Sequence, residues 1–291
     1  DQVDKVMKEM DDDLYVSCLY RFYLNKEINL EQPVTFNEKL NWLKLHDRRE
    51  IYTKMVDKYA TKELVGNIIG MEHIIPIIGV WDDVDEIPFD TLPEKFVIKC
   101  THDSGSVVVV NDRKKFDKDR IKADYRERLR QNYFYPYREW PYKNVKPRII
   151  AEKYMETLDG EPLVVYKLFC FNGLPKIAQI IQNDKLPNES IDYVDMDFCL
   201  MDIRQNFPNS KKHLNPPDTW EEMREFASKL SEGIPFIRVD FYEIEHMFYN
   251  LSIAKYAAFF KGILEDNSSN AKPANFFQLF IKILAWTSCI I

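Results

Sequence analysis

F-V-I-K-C-T-H-D-S-G-S-V-V-V-V, residues 96–110, decides how the rest of this chain is read. An apolar run carrying one lysine enters a short polar loop around Gly105 and leaves on a second β-branched run. Alternation puts Phe96, Ile98 and Cys100 on one face of the first strand and Val97, Lys99 and Thr101 on the other. A strand lysine beside a small-residue loop suits a phosphate, because it joins a positive charge to backbone N–H groups. Taken alone, the segment is more simply a β-hairpin with a solvent-facing lysine.

Working outward, the 291 residues allow a sizeable core and roughly two domains. The composition is 45% hydrophobic and 30% charged, that of an ordinary soluble chain. A net charge of −7 argues against non-specific nucleic-acid binding, so no nucleic-acid partner is expected. The five cysteines are scattered without a C-x-x-C, against a disulfide framework or zinc ribbon, and a reducing, cytoplasmic setting is expected. The first twelve residues are acidic and polar, unlike a signal peptide.

Upstream, Thr35-Phe-Asn-Glu38 has capping-box spacing, followed by Phe36, Leu40 and Leu43 on one helix face. A second helix is expected through Tyr52, Met55, Val56, Tyr59 and Ala60, stopping at Gly66. Its Lys54, Asp57, Lys58 and Lys62 read as a solvated face. Residues 74–81, interrupted by Pro76, suit an edge strand.

Downstream, residues 111–132 are charged and helical. Residues 133–148 are aromatic and hold three prolines, which exclude a regular helix and suggest an ordered crossover. The second half reads β-rich: strands at 149–155, 163–171 and 176–181, an Asn172-Gly173 hairpin, and an irregular 182–217. Thr219-Trp-Glu-Glu222 has capping-box spacing and opens a helix with Trp220, Met223, Ala227 and Leu230 inward. In strand 236–244, Ile237, Val239 and Phe241 face one way, Arg238 and Asp240 the other. Asp240 could hold a hard cation such as Mg²⁺, or simply pair with Arg238. Lys167 by itself reads as a surface residue. His102, Asp103 and Ser104 are consecutive and cannot converge as a hydrolytic triad. The five histidines show no metal-ligand spacing, and neither a P-loop nor a strand-linked G-x-G-x-x-G occurs.

Together the pieces resemble the TupA-like group of ATP-grasp proteins, which is named for teichuronopeptide biosynthesis and occurs in bacterial surface-polysaccharide clusters. The motifs are T-F-N-E-K-L-N-W-L-K at 35–44, V-D-K-Y-A at 56–60, the 96–106 segment, R-E-W-P-Y-K-N-V-K-P-R-I-I-A-E-K-Y-M at 138–155, Y-K-L-F-C-F-N-G at 166–173 and F-I-R-V-D-F-Y at 236–242. Each is weak alone, but their joint order is specific. The resemblance runs from about residue 33 to 244.

It implies an α+β ATP-grasp fold, two α+β subdomains clasping ATP. The expected organisation is an N-terminal helical segment (1–50), an N-terminal subdomain (51–132), the crossover (133–148), a C-terminal subdomain (149–244) and a divergent tail (245–291). The implied cofactors are ATP and Mg²⁺. Lys58 and Lys99 would contact phosphates, with Lys167 in the same set. Ser104, Gly105 and Ser106 would form the loop over them. Glu152, Lys153, Tyr154 and Met155 would form the adenine hinge, met through backbone groups. Asp240 would bind the metal, with Arg238 near the transferred phosphate. The implied reaction forms an acyl phosphate, which an amine displaces. The implied partners are a sugar acid or polysaccharide precursor and an amine donor. Rival readings are a glycosyltransferase, with Asp195-Met196-Asp197 as its D-x-D, and a non-catalytic nucleotide-binding remnant. After about residue 244 the chain departs from the family pattern: Ser252 stands where a metal-bridging glutamate is expected. The 275–291 stretch is apolar, short for a membrane span, and carries Lys282, so no membrane span is expected.

Overall fold

A computed structural model describes residues 8–204 and 207–254. Two antiparallel sheets organise them. The first has strands β1 (Ile77–Trp81), β2 (Phe96–Cys100), β3 (Val108–Val110) and β4 (Ile149–Lys153), in the order β1-β4-β2-β3. The second has β5 (Val165–Phe171), β6 (Leu174–Gln182), β7 (Ser190–Val194), β8 (Phe236–Ile244) and β9 (Met247–Ala254), in the order β7-β6-β5-β8-β9. No helix among the described residues is long and apolar enough to cross a membrane.

Helices cover these sheets because their apolar faces need partners. Helices α1 (Asp12–Leu24) and α2 (Phe36–His46) come first. The capping box of α2 forms as expected: the Glu38 N–H donates to the Thr35 hydroxyl at 3.3 Å, and the Thr35 N–H to the Glu38 carboxylate at 2.8 Å. Phe36, Leu40 and Leu43 then bury against Val165, Phe169 and Phe236 on one face of the second sheet. Helix α5 (Lys118–Leu129) covers the first sheet, with Tyr125 in that core. The crossover holds only a helical turn, α6 (Phe134–Tyr137), and a 3₁₀ turn at Trp140–Tyr142. Helix α7 (Trp220–Ser231) buries Trp220, Met223, Ala227 and Leu230 against the opposite face of the second sheet.

The expected Tyr52–Gly66 helix is two helices, α3 (Glu50–Val56) and α4 (Ala60–Ile69). The break falls at Asp57, whose carboxylate accepts the N–H groups of Tyr59 and Ala60 at 2.9 and 3.4 Å. A side chain that satisfies the next helix's first donors competes with helix continuation. Gly66 lies inside α4; a Cβ there would stand 2.2 Å from Met71 Sδ, so the glycine permits close packing. Gly70, with φ +105°, ends the helix instead.

Strand β4, expected to open the second half, pairs with β1 and β2 in the first sheet. The first sheet is therefore completed only after the crossover. The 182–217 segment, expected to be irregular, contains β7, which pairs along β6. Thr219 precedes α7 but makes no side-chain cap. The segment after 244 does not depart from the fold at once: the chain turns at Glu245-His246, both with positive φ, and β9 pairs with β8. The Asn172-Gly173 turn has φ of 48° and 81°, as a tight hairpin of this type requires. The apolar 275–291 stretch lies outside the described residues.

Candidate nucleotide and phosphoryl-transfer site

A polar row crosses the second sheet. Ser252 opposes Asp240, Asp240 opposes Lys167, Lys167 opposes Gln179, and Gln179 opposes Tyr193. Opposed residues of antiparallel strands share a face, so all five project to one side. Arg238 lies two residues along β8 on that side. The expected alternation holds: Ile237, Val239 and Phe241 are buried in the core under α7.

The Arg238 guanidinium grips Asp240 with two bonds, Nε to Oδ1 at 2.6 Å and Nη2 to Oδ2 at 2.7 Å. The Ser252 hydroxyl donates to the same carboxylate at 2.9 Å. Burial opposes the Arg238 charge, but Asp240 outweighs it and raises the Arg238 pKa. Lys167 is half-buried; burial, then Arg238, pulls its pKa down against the pull of Asp240.

The first sheet supplies the other wall. Lys99 Nζ donates to Glu152 Oε2 at 2.6 Å, and Lys62 Nζ sits 2.9 Å from Glu152 Oε1. All three side chains are buried. Lys62, read as solvated, is thus a site residue that sequence reasoning missed; its spacing of four from Lys58 was the available signal. Burial tends to raise the Glu152 pKa, but the two lysines outweigh it and hold the carboxyl below its ordinary value. Lys58 Nζ donates to the Cys100 carbonyl at 2.8 Å and to the Asp103 carbonyl. Burial pushes its pKa down to about 8, partly opposed by Asp103. Asp57, also expected to be solvated, is buried and ion-pairs with Arg148 at 2.7 Å. A cleft joins the walls: Lys58, Lys62, Lys99 and Glu152 line one side, Asn250 and Ser252 of β9 the other.

The polar loop is held at its base. The Ser106 hydroxyl accepts the Cys100 N–H at 2.9 Å and donates to Asp103, whose other oxygen meets Arg128 at 3.0 Å. Ser106 is buried and pinned, while Ser104 and Gly105 form the exposed tip. His102 Nε2 lies 3.0 Å from the Arg128 carbonyl, while Asp103 is engaged by Ser106 and Arg128, so His102 and Asp103 have separate partners. In the hinge, the Glu152 side chain turns to the lysines, and the Lys153 N–H donates to the Pro76 carbonyl at 2.9 Å. Tyr154 and Met155 are half-buried, with Lys95 Nζ 5.4 Å from the Tyr154 ring centre. Asp195 accepts the N–H groups of Asp197 and Cys199, which makes Asp195-Met196-Asp197 a local turn.

These residues do not fit a resident Mg²⁺ ion. One carboxylate is offered, both its oxygens are bonded to Arg238, and its neighbour is a hydroxyl. No group of three or more metal-binding side chains occurs among the described residues.

The family model described as TupA-like ATPgrasp matches residues 38–256. The chain belongs to this family, and its fold is that of an ATP-grasp protein with α+β architecture. The match includes β9, so the family pattern extends past residue 244 and through Ser252. Among solved structures, the chain is similar to the ATP-grasp ligase PsnB complexed with minimal precursor, at 10% identity and TM-score 0.43, over 86% of this chain and 68% of that one. It is similar to D-alanine–D-alanine ligase from Bacillus anthracis complexed with ATP, at 13% identity and TM-score 0.41, over 78% and 64%. It is also similar to L-amino acid ligase from Bacillus licheniformis, at 13% identity and TM-score 0.45, over 94% and 60%. The chain therefore spans between 60% and 68% of the length of these three proteins. No curated protein matches it.

Proposed function

We propose that the cleft binds ATP and that the chain is an ATP-dependent carboxylate–amine ligase of bacterial surface-polysaccharide biosynthesis, joining a sugar acid to an amine through an acyl phosphate. The observation that carries the nucleotide reading is the convergence of Lys58, Lys62 and Lys99 on a cleft whose far wall bears Asn250 and Ser252, the Ser252 hydroxyl donating to Asp240 behind it. Three ammonium groups against two carboxylates, Glu152 with Lys62 and Lys99 and Asp103 with Lys58, leave positive charge for phosphates, the kind of preorganised stabilisation that phosphoryl transfer needs. The exposed Ser104-Gly105 tip adjoins the Lys58 and Lys99 backbone and can approach a bound phosphate. Lys153, Tyr154 and Met155 border the same strand end and are the proposed adenine side. Arg238, with Lys167 on the same sheet face, is the proposed cation for the transferred group. The polysaccharide setting rests on the family alone.

A second reading, nucleotide binding with little or no turnover, is favoured by one observation. Asp240 is neutralised by Arg238, and the residue opposite is serine instead of a second carboxylate.

Titration calorimetry tests the nucleotide reading. ATP should bind the parent, and Lys99→Ala should weaken it by about 1.5–3 kcal/mol, the scale of a hydrogen bond to a charged group. Equal affinity in both would remove Lys99 from the site.

A further inference from the structure

Thr61 is the second residue of helix α4, and it lines the cleft together with Lys58, Lys62, Lys99 and Ser252. It is 7% exposed. Its hydroxyl oxygen is buried and has no hydrogen-bond partner. Among the described residues, no other buried polar side-chain atom of the cleft lining is left so. Burying a hydroxyl unpaired costs stability, and such a group in a folded chain needs an explanation. A helical threonine commonly turns its hydroxyl back to the carbonyl four residues earlier. Here that carbonyl belongs to Asp57 and accepts the Thr61 N–H at 2.9 Å, and the hydroxyl does not join it.

The groups around Thr61 are already engaged. Lys58 Nζ is held by the Cys100 and Asp103 carbonyls. Lys62 Nζ donates to the Ile75 carbonyl at 2.8 Å and pairs with Glu152, which also takes Lys99. Across the cleft, the Ser252 hydroxyl spends its proton on Asp240, and the Asn250 amide donates to the Asp240 carbonyl at 3.2 Å. Thr61 thus keeps an uncommitted donor on the wall that carries three ammonium groups. Cations favour an anionic occupant, and a hydroxyl meets an anion by donating its proton.

We propose that the Thr61 hydroxyl donates to a phosphate oxygen of the bound nucleotide, as the neutral, directional member of a site whose charge comes from the lysines. This rests on reading the cleft as an ATP site. The ammonium groups attract any polyanion, and the hydroxyl fixes where one phosphate oxygen sits. The cost of burying the hydroxyl is then offset on binding, when its partner arrives with the ligand. Its presence at this position marks a residue kept for the ligand and not for the fold.

The test is Thr61→Val, which replaces the hydroxyl with a methyl of nearly the same shape, beside Thr61→Ser, which keeps the hydroxyl. The whole chain is followed by thermal unfolding without nucleotide, and by titration calorimetry with ATP, inorganic tripolyphosphate and adenosine. T61V should melt at the parent's temperature or above, because no hydrogen bond is lost from the nucleotide-free chain. It should bind ATP and tripolyphosphate about 10-fold more weakly, with any affinity for adenosine unchanged. T61S should bind all three nearly as the parent does. A lower melting temperature in T61V, or its failure to fold, would show the hydroxyl holding the fold and would overturn the proposal. Parental affinity of T61V for ATP and tripolyphosphate, an equal loss for adenosine, or the same loss in T61S would overturn it too. If the parent binds tripolyphosphate but not ATP, the nucleotide reading falls, and the tripolyphosphate comparison still decides the role of Thr61. If the parent binds neither, both readings fall.

Discussion

Replacing Glu152 with glutamine should destabilise the nucleotide-free protein by about 3–5 kcal/mol, the cost of breaking a buried ion pair by removing one partner. The Glu152 side chain is 3% exposed, and the two lysine side chains it serves are each 8% exposed. Glutamine keeps the volume and one acceptor oxygen but leaves Lys62 and Lys99 facing each other without an anion. At about 2–4 °C per kcal/mol for a domain of this size, melting should fall by roughly 6–20 °C. The pH dependence follows from the depressed native pKa of Glu152. Its contribution is fully present above the unfolded carboxylate value, about 4.3, and is lost as pH falls through the lower native value. Parent and variant should therefore differ at neutral pH and converge in acid. ATP phosphates would supply the missing anion, so saturating ATP should recover more stability in the variant than in the parent. The assay is urea unfolding with and without ATP, at neutral and acid pH. A variant within about 1 kcal/mol of the parent at neutral pH would refute the carboxylate as counter-ion. Equal stabilisation of both by ATP would refute the link between these lysines and phosphate.

ATP affinity should decline as pH rises through about 8, where Lys58 loses its proton, well below an ordinary lysine. In the same window, between about 8 and the ordinary 10.5, the unfolded chain holds the proton that the folded chain lacks, so this group's contribution to stability rises with pH. Lys58→Arg should flatten the affinity profile, since guanidinium stays charged; a flat profile in the parent would sink the assignment. Nucleotide-free parent should show no Mg²⁺ site by calorimetry, and Ser252→Glu should raise Mg²⁺ affinity on the order of 10–100-fold, with ADP formation rising alongside. A tight Mg²⁺ site in the parent, or ADP formation already as fast as in the variant, would show that serine at this position is no defect.

Local patterns carried much of this molecule by themselves. The Thr35–Glu38 box, the Asn172-Gly173 turn, the inward face of α7 and the split of β8 into Ile237/Val239/Phe241 and Arg238/Asp240 all follow from residues a few positions apart. Such patterns work because capping, turn geometry and strand alternation are set by neighbours in the chain. They say which way a side chain points and nothing about what covers it. Lys62 reads as one more charge on a helix until α4 is docked beside β4, and its carboxylate partner lies 90 residues on, at Glu152. The Lys99–Glu152 pair spans 53 residues and forms only when β4 crosses back to the first sheet. β7 becomes a strand because β6 offers it an edge, not because S-I-D-Y-V demands one. Ser252 acquires its meaning from register, which sets it opposite Asp240 and leaves a hydroxyl where a second carboxylate was expected. Burial and cross-strand register are properties of the assembled sheets, and they decided which of the chain's many charges became a site.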